Sequence, residues 1–374
     1  MPVGMFVMKW DDRRGTVIES KYPQEIELTD RTLMQIYSAH EYSGEPGVIS
    51  LFVGPLNIMS YYSGPESCYY IVLLLNLDDD PDLFEGGLSD IARIILQNIE
   101  TKTYVSLLPS LFRRISVFPT LSEEQQLAIM YQDQVKRTLI ERLREEGVVS
   151  KSELVIWLKD VRKNEYIDID SLLNDLIKID IIKESSVKGM PSELIFLIND
   201  LTIARNPPTT ILKNLEEKEL PENLREDYRT SVKNYFKSYH PSEDDNLKLI
   251  ELLIDPQVYI VLQFLRSMIG TRDMLEKLKK KGVDNVDDAL NKLWENKLIQ
   301  VFQDKNKTEY YTLQSDFHIK RIFPKYILQT IISEYDVKSK SEKVLIEYLK
   351  VLEDAYYTYK EQSKETKQKI VEET

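Results

Sequence analysis

One short segment occurs twice in this chain. Asp170-Ser171-Leu172-Leu173-Asn174-Asp175-Leu176 is matched by Asp287-Asp288-Ala289-Leu290-Asn291-Lys292-Leu293. In both copies the apolar positions recur at helical spacing, so each predicts one amphipathic helix. Each copy runs on into an apolar stretch, residues 179–182 and 298–301. A polar, strand-like hairpin follows in both cases. A helix that ends in a two-stranded hairpin, twice over, restricts the chain to tandem small modules of one kind.

The rest of the chain leaves room for more. Its 374 residues suffice for two or three domains. Apolar residues make up 42% and charged residues 30%, which describes an ordinary globular protein. A single cysteine, Cys68, has no intrachain disulfide partner. That predicts a reducing, intracellular setting, with the cytoplasm as the expected location. The longest apolar run, residues 69–75, is far too short to span a bilayer. The N-terminus reaches Lys9, Asp11 and Asp12 without a signal-peptide pattern. Any membrane association is therefore expected to be indirect.

Residues 5–120 read as a mixed α/β domain. Residues 5–10 and 16–22 are short strands around the turn Asp11-Asp12-Arg13-Arg14-Gly15. Thr29 or Asp30 caps a helix with Leu33, Ile36, Tyr37 and His40 on one face. Ser43-Gly44-Glu45-Pro46-Gly47 ends it. Strands follow at 48–53, 56–62 and 68–77, separated by Gly54-Pro55 and Ser63-Gly64-Pro65. A second helix turns Leu88, Ile91, Ile95 and Leu96 inward. Residues 106–118 look less regular and read as a packed-back segment or a linker. The order strand, strand, helix, three strands, helix, with the opening Met5-Phe6-Val7-Met8-Lys9-Trp10-Asp11-Asp12, resembles longin and roadblock-like domains. That resemblance covers about a third of the chain. It implies an α+β fold with a profilin-like five-stranded sheet, and a role in trafficking or GTPase regulation.

Residues 123–146 read as one long helix, with Leu127, Met130, Val135, Leu139 and Leu143 on one face and Gly147 as the stop. A second helix contains Leu154, Ile156, Trp157 and Val161, and Asp168 starts a third. Residues 181–187 and 193–198 flank Lys188-Gly189-Met190-Pro191 as a wing. The second copy runs through helices at 255–268, 271–281 and 285–296, then strands at 298–303 and 308–313. These patterns resemble winged-helix modules. The boundaries expected are a sheet domain at 1–120, winged helices at 121–203 and 251–333, a helical linker at 204–250, and a C-terminal helix and polar tail at 334–374.

Charge decides what such modules would face. In winged helices that read DNA, one helix enters the major groove, with basic residues around it for phosphates. Residues 168–180 instead carry Asp168, Asp170, Asp175 and Asp180 against Lys178. Residues 285–297 carry Asp287, Asp288 and Glu295 against Lys292 and Lys297. Carboxylates approaching phosphates are repelled. The net charge of −13 divides as −7 over residues 1–120, −5 over 121–200, −1 over 201–250, +2 over 251–333 and −2 beyond. Only the second module is even weakly basic. Lys279, Lys280 and Lys281, with Lys305 and Lys307 in the wing, are its candidate anion or nucleic-acid contacts. As a solvated helix end stopped by Gly282 they need no ligand at all.

Little else points to chemistry. Asp78-Asp79-Asp80 lacks the alternation of a calcium loop and reads as a turn that feeds acids to a helix N-terminus. His40, His240 and His318 are isolated in sequence and make no metal spacing with Cys68. No glycine-rich phosphate loop or nucleophile motif occurs. No catalytic, cofactor or metal residues are expected. Tyr61-Tyr62 and Tyr69-Tyr70 sit on neighbouring strands, and strict alternation would turn one of each pair outward as a partner surface. The expectation is a non-enzymatic adaptor without a cofactor. Its sheet domain would dock a small GTPase or a longin- or roadblock-type subunit, or pair with a second copy. Its paired modules would build protein assemblies, as the resemblance to ESCRT-II subunits implies. The alternative is a DNA-binding transcriptional regulator with an N-terminal sensing or dimerisation domain.

Overall fold

The computed structural model describes residues 2–44, 46–161, 169–215 and 220–372, the side chains of Ser43 and 361–372 excepted. Asp168 therefore lies outside the described residues. Two compact units divide the chain: residues 1–121 with 151–178, and residues 122–150 with 179–374.

The first unit is built on strands β1 (Gly4–Asp11), β2 (Gly15–Tyr22), β3 (Gly47–Val53), β4 (Leu56–Tyr62) and β5 (Tyr69–Leu75). They form one antiparallel sheet in the order β2-β1-β5-β4-β3. Helix α1 (Asp30–Ser43) is N-capped by Thr29 and covers one face with Leu33 and Ile36. Helices α2 (Glu85–Gln97) and α3 (Tyr104–Val117) cover the other with Leu88, Ile91, Ile95, Leu108, Leu111 and Ile115. The stretch expected to be irregular is thus the regular helix α3. Pro109 inside it removes one backbone donor, and the segment still forms because burial of its apolar face outweighs that loss.

The chain continues through α4 (Glu123–Gln132), α5 (Gln134–Glu146), β6 (Val148–Ser150), α6 (Lys151–Val161) and α7 (Ile169–Lys178). Then come β7 (Ile182–Ser185), β8 (Leu194–Leu197), β9 (Asp200–Asn206), α8 (Thr209–Lys213) and α9 (Glu222–Ser238). The same order follows again: α10 (Glu243–Ile254), α11 (Pro256–Ser267), β10 (Gly270–Thr271), α12 (Arg272–Glu276), α13 (Val286–Glu295), β11 (Ile299–Gln303), β12 (Glu309–Leu313), β13 (Asp316–Ile322), α14 (Ile327–Asp336) and α15 (Glu342–Glu372). The repeat is therefore much longer than the seven residues that announce it.

The expected single helix over 123–146 is two helices. Asp133, at φ −70° and ψ 115°, ends α4 and caps α5 by accepting from the Val135 and Lys136 N–H groups. Asp255 does the same between α10 and α11, at φ −70° and ψ 111°. In each case one aspartate serves as stop and start; at Asp133 no Gly or Pro marks the break, whereas Pro256 follows Asp255.

Within the second unit the repeats meet along β9 and β13. These strands pair antiparallel about Ile203 and Ile319, which occupy equivalent positions. A local two-fold relation follows, and the side chains obey it. Arg144 donates to Asp200 and Arg266 to Asp316, each from Nε at 2.8 Å. Arg205 reaches the Asn296 and Lys297 carbonyls and Asp245, while Arg321 reaches the Ile179 carbonyl, Asp180 and Glu123. The closing helices are exchanged. Tyr228 of α9 donates to the Leu313 carbonyl in the second repeat, and Tyr348 of α15 to the Leu197 carbonyl in the first, both at 2.8 Å. Each phenol is buried, so each repeat completes the core of the other.

Candidate functional site

The tyrosine pairs do not form an outward surface. Tyr61 faces the α2–α3 side of the sheet, while Tyr62 and Tyr70 face the α1 side. All three are buried, because helices cover both faces and alternation sends successive residues into two cores. Tyr62 and Tyr70 stack with ring centroids 4.8 Å apart, beside the buried ring of His40. His40 Nε2 lies 3.0 Å from Ser60 Oγ. Burial holds this imidazole neutral, with its pKa down at about 4. Tyr69 is half-buried under the Lys9 ammonium, 4.8 Å from its ring centre.

The acidic run behaves as a turn. Asp79 accepts from the Asn76 N–H at 3.0 Å, and Asp80 caps the short helical turn at 81–84 by accepting from the Asp82 N–H. No group of His, Cys, Asp and Glu among the described residues is placed to hold a metal ion. No helix among them is long and apolar enough to cross a membrane.

The two repeated helices are the informative sites. On α7, Ile169, Leu172, Leu173 and Leu176 are buried, and on α13 so are Val286, Ala289, Leu290 and Leu293. Both helices are followed by a non-glycine residue in the left-handed region, Asp180 and Lys297, each with φ 55°. They differ in what lies against the other face. In the first unit, α7 is seated on α2. Arg93 pairs with Asp175 at 3.4 Å as well as with Asp90 of its own helix. Lys178 pairs with Glu85. A Cβ on Gly86 would lie 3.7 Å from Asp175 Oδ1, so the start of α2 comes close to α7. The carboxylate and the ammonium on which a DNA reading of this helix turns are thus engaged by protein.

On α13 the equivalent positions meet different partners. Trp294, at the position of Ile177, is 61% exposed. Lys292 stands where α7 has Asp175, and Glu295 where it has Lys178, so the signs are reversed. Lys292 Nζ sits 3.0 Å from Asp255 and 2.8 Å from Asp288. Arg272 pairs with Asp287 at 2.6 Å and Glu276 at 2.7 Å. These hydrogen bonds raise Lys292 and Arg272 and lower Asp287, so each pair is held fully charged.

The lysines named in the sequence are exposed but separately explained. Lys279, Lys280 and Lys281 end a 3-10 turn at 277–281, stopped by Gly282 at φ 97°, and Lys279 pairs with Glu276. Cations suit that helix end. Lys305 and Lys307 lie in the β11–β12 turn, which Asp304 organises by accepting from the Asn306 and Thr308 N–H groups.

Sequence reasoning missed a cluster of charged side chains. His318 Nδ1 is 3.0 Å from Glu124 and Nε2 is 2.8 Å from Asp316. Arg266 bridges the same two carboxylates, at 2.6 and 2.8 Å. Tyr259 donates to Glu124 at 3.0 Å and receives from Ser122 at 2.8 Å. Burial opposes the charge on Glu124, but bonds from His318 and Arg266 outweigh it and hold the carboxyl down at about 2. Burial likewise opposes the imidazolium, yet Asp316 and Glu124 raise His318. A neutral ring has one N–H, so a ring between two carboxylates is an imidazolium. Its partners lie far apart in sequence, and no spacing rule could assemble them. No family model matches this chain, and no curated protein matches its sequence.

Proposed function

We propose that this chain is a non-enzymatic adaptor, with a longin- or roadblock-like N-terminal domain and two winged-helix modules that bind protein. The sheet order β2-β1-β5-β4-β3, with one helix on one face and two on the other, supports the first part. The repeated series of helices ending in a hairpin supports the second. The observation that carries the reading is α7 seated on α2 through Arg93–Asp175 and Lys178–Glu85. A helix that in a DNA reader would lie in the major groove here lies against protein, and its acidic residues suit that role. The partly buried ion pairs of the second unit fit a rigid scaffold better than a catalytic centre, since each charged group already faces its opposite.

The partner class is a small GTPase or a longin- or roadblock-type subunit, and the setting is membrane trafficking or remodelling. Two titrations of the full-length chain test this. A fluorescently labelled generic duplex should show no binding at ~50 mM salt; binding that collapses by ~200 mM would instead establish the DNA-regulator alternative. Purified small GTPases from the same genome, loaded with GDP or a GTP analogue, should include one that binds in a nucleotide-dependent way. Failure of every one would remove that partner class.

A further inference from the structure

An open sheet has two edges, and those of the first unit are β2 and β3. Helices cover both faces of this sheet, so only an edge can extend its ladder. The two edges are unlike. On β2, Glu19 pairs with Lys102 at 3.4 Å and Lys21 donates to the Ile26 carbonyl at 2.7 Å. The register of β2 on β1 also shifts between Val7 and Met8. Charges and a bulge are the devices that keep an edge from accepting a strand. β3 has neither. Its seven residues, Gly47 to Val53, hold no charge and no proline, and they pair with β4 in unbroken register. Phe52 is 66% exposed. Gly54, at φ 61°, and Pro55 make the two-residue turn into β4, so the closing pair Val53–Leu56 is hydrogen-bonded, and Leu51 and Ile49 alternate with it in facing β4. The N–H and C=O groups of Val48, Ser50 and Phe52 therefore point away from β4, and no strand lies on that side among the described residues.

We propose that β3 pairs with β3 of a second copy of this chain, antiparallel about Ser50, and joins two sheets into one. Ser50 then faces its own counterpart, and Val48 faces Phe52 of the second copy. This register uses all three outward residues of each strand and makes about six backbone hydrogen bonds. Centring the pair on Ile49 or Leu51 uses fewer. Val48, Ser50 and Phe52 share the face that α2 and α3 cover, where Val48 already packs against the core. Pairing sets the exposed Phe52 ring beside Val48 of the second copy, an apolar cross-strand pair. A strand without charges meets no like charge in its own copy. Joining β3 to β2 of another copy is the poorer solution. It sets Glu19 and Lys21 along an apolar strand and, being head-to-tail, leaves a free β3 at one end to add further copies. The two-fold pairing closes and covers both apolar edges. It does not depend on the adaptor reading, and goes beyond it by giving one adaptor two sets of modules.

Sedimentation of the full-length chain from about 1 to about 100 μM should show a monomer–dimer equilibrium with no larger species. Phe52→Lys should weaken the dimer at least about tenfold by setting a charge in the joined face, and Ser50→Pro should do so by removing the central N–H donor. Both positions are exposed, so circular dichroism of the dilute variants should match the parent. If Ser50→Pro disturbs the strand, Phe52→Lys decides alone. Glu19→Lys, on the other edge, should leave the equilibrium unchanged. In a Cys68→Ser background, Ser50→Cys should be joined to its copy by a short bismaleimide, because paired Cα atoms lie about 5.5 Å apart, and Glu19→Cys should not. A monomer throughout the range, a dimer insensitive to Phe52→Lys, or cross-linking at position 19 in place of 50 would each overturn the proposal. The small-GTPase titration is run in parallel. A dimer that binds no GTPase removes that partner class and leaves the pairing, and GTPase binding by a strict monomer does the opposite.

Discussion

At the scale of single residues, the buried His40 and the half-buried His318 make opposite demands on pH. His40 is depressed to about 4 from an ordinary 6.5, so the folded state holds fewer protons than the unfolded chain in that window. Its contribution is complete above 6.5 and is lost as pH falls towards 4. His318 is raised, so its contribution is complete below 6.5 and is lost as pH rises through the raised value. Glu124, depressed to about 2 from 4.5, adds stability that fades as pH falls from 4.5 towards 2. Denaturant titrations followed across pH should therefore show the first unit weakening on mild acidification and the second on the alkaline side. His318→Gln should flatten the alkaline decline, and an unchanged profile would mean that the ring is not charged between its carboxylates. Arg266→Met should cost about 2–4 kcal/mol, because it leaves two largely buried carboxylates with one cation fewer. Equilibrium unfolding measures it.

At the scale of elements, the exchanged helices make a sharper claim. Tyr228 and Tyr348 are equivalent, fully buried and bonded to equivalent carbonyls in opposite repeats. Tyr228→Phe and Tyr348→Phe keep the ring and remove one hydrogen bond each. Each should lower the stability of the second unit by about 1 kcal/mol. The two losses should be similar in size, because the local two-fold makes the sites alike. A large effect at one tyrosine and none at the other would show that the exchange is not symmetric in energy. The amphipathic pattern foretold α7 and α13 well, since a buried stripe at helical spacing is a local property. It could not foretell β9 and β13, because each is ordered only by pairing with the other repeat.

At the scale of the molecule, the chain leaves the second unit after residue 150 and returns to it after residue 178. The segment between belongs with the sheet domain, where Arg93 and Lys178 pin α7 to α2. Arg93→Glu should cost about 1–3 kcal/mol by setting an acid against Asp175 and Asp90. Hydrogen exchange should then quicken across α6 and α7, while β9 and β13, in the other unit, keep their protection. Uniform quickening everywhere would mean that the chain unfolds as one cooperative body.

The sequence by itself determined the N-terminal strands with helices α1 and α2, the two amphipathic copies and the acidic residues of each repeated helix. Those rest on period, turn residues and charge, which are fixed within a few neighbouring positions. Tertiary structure decided what these faces meet. Both faces of the sheet are covered, so Tyr61, Tyr62 and Tyr70 went inward against a one-sided expectation. Asp133 broke a helix that the apolar period ran straight through. The charged cluster of Glu124, Arg266, Asp316 and His318 formed only where two repeats crossed. Burial and ion pairing depend on residues brought together from distant parts of the chain, and no local pattern records which ones will arrive.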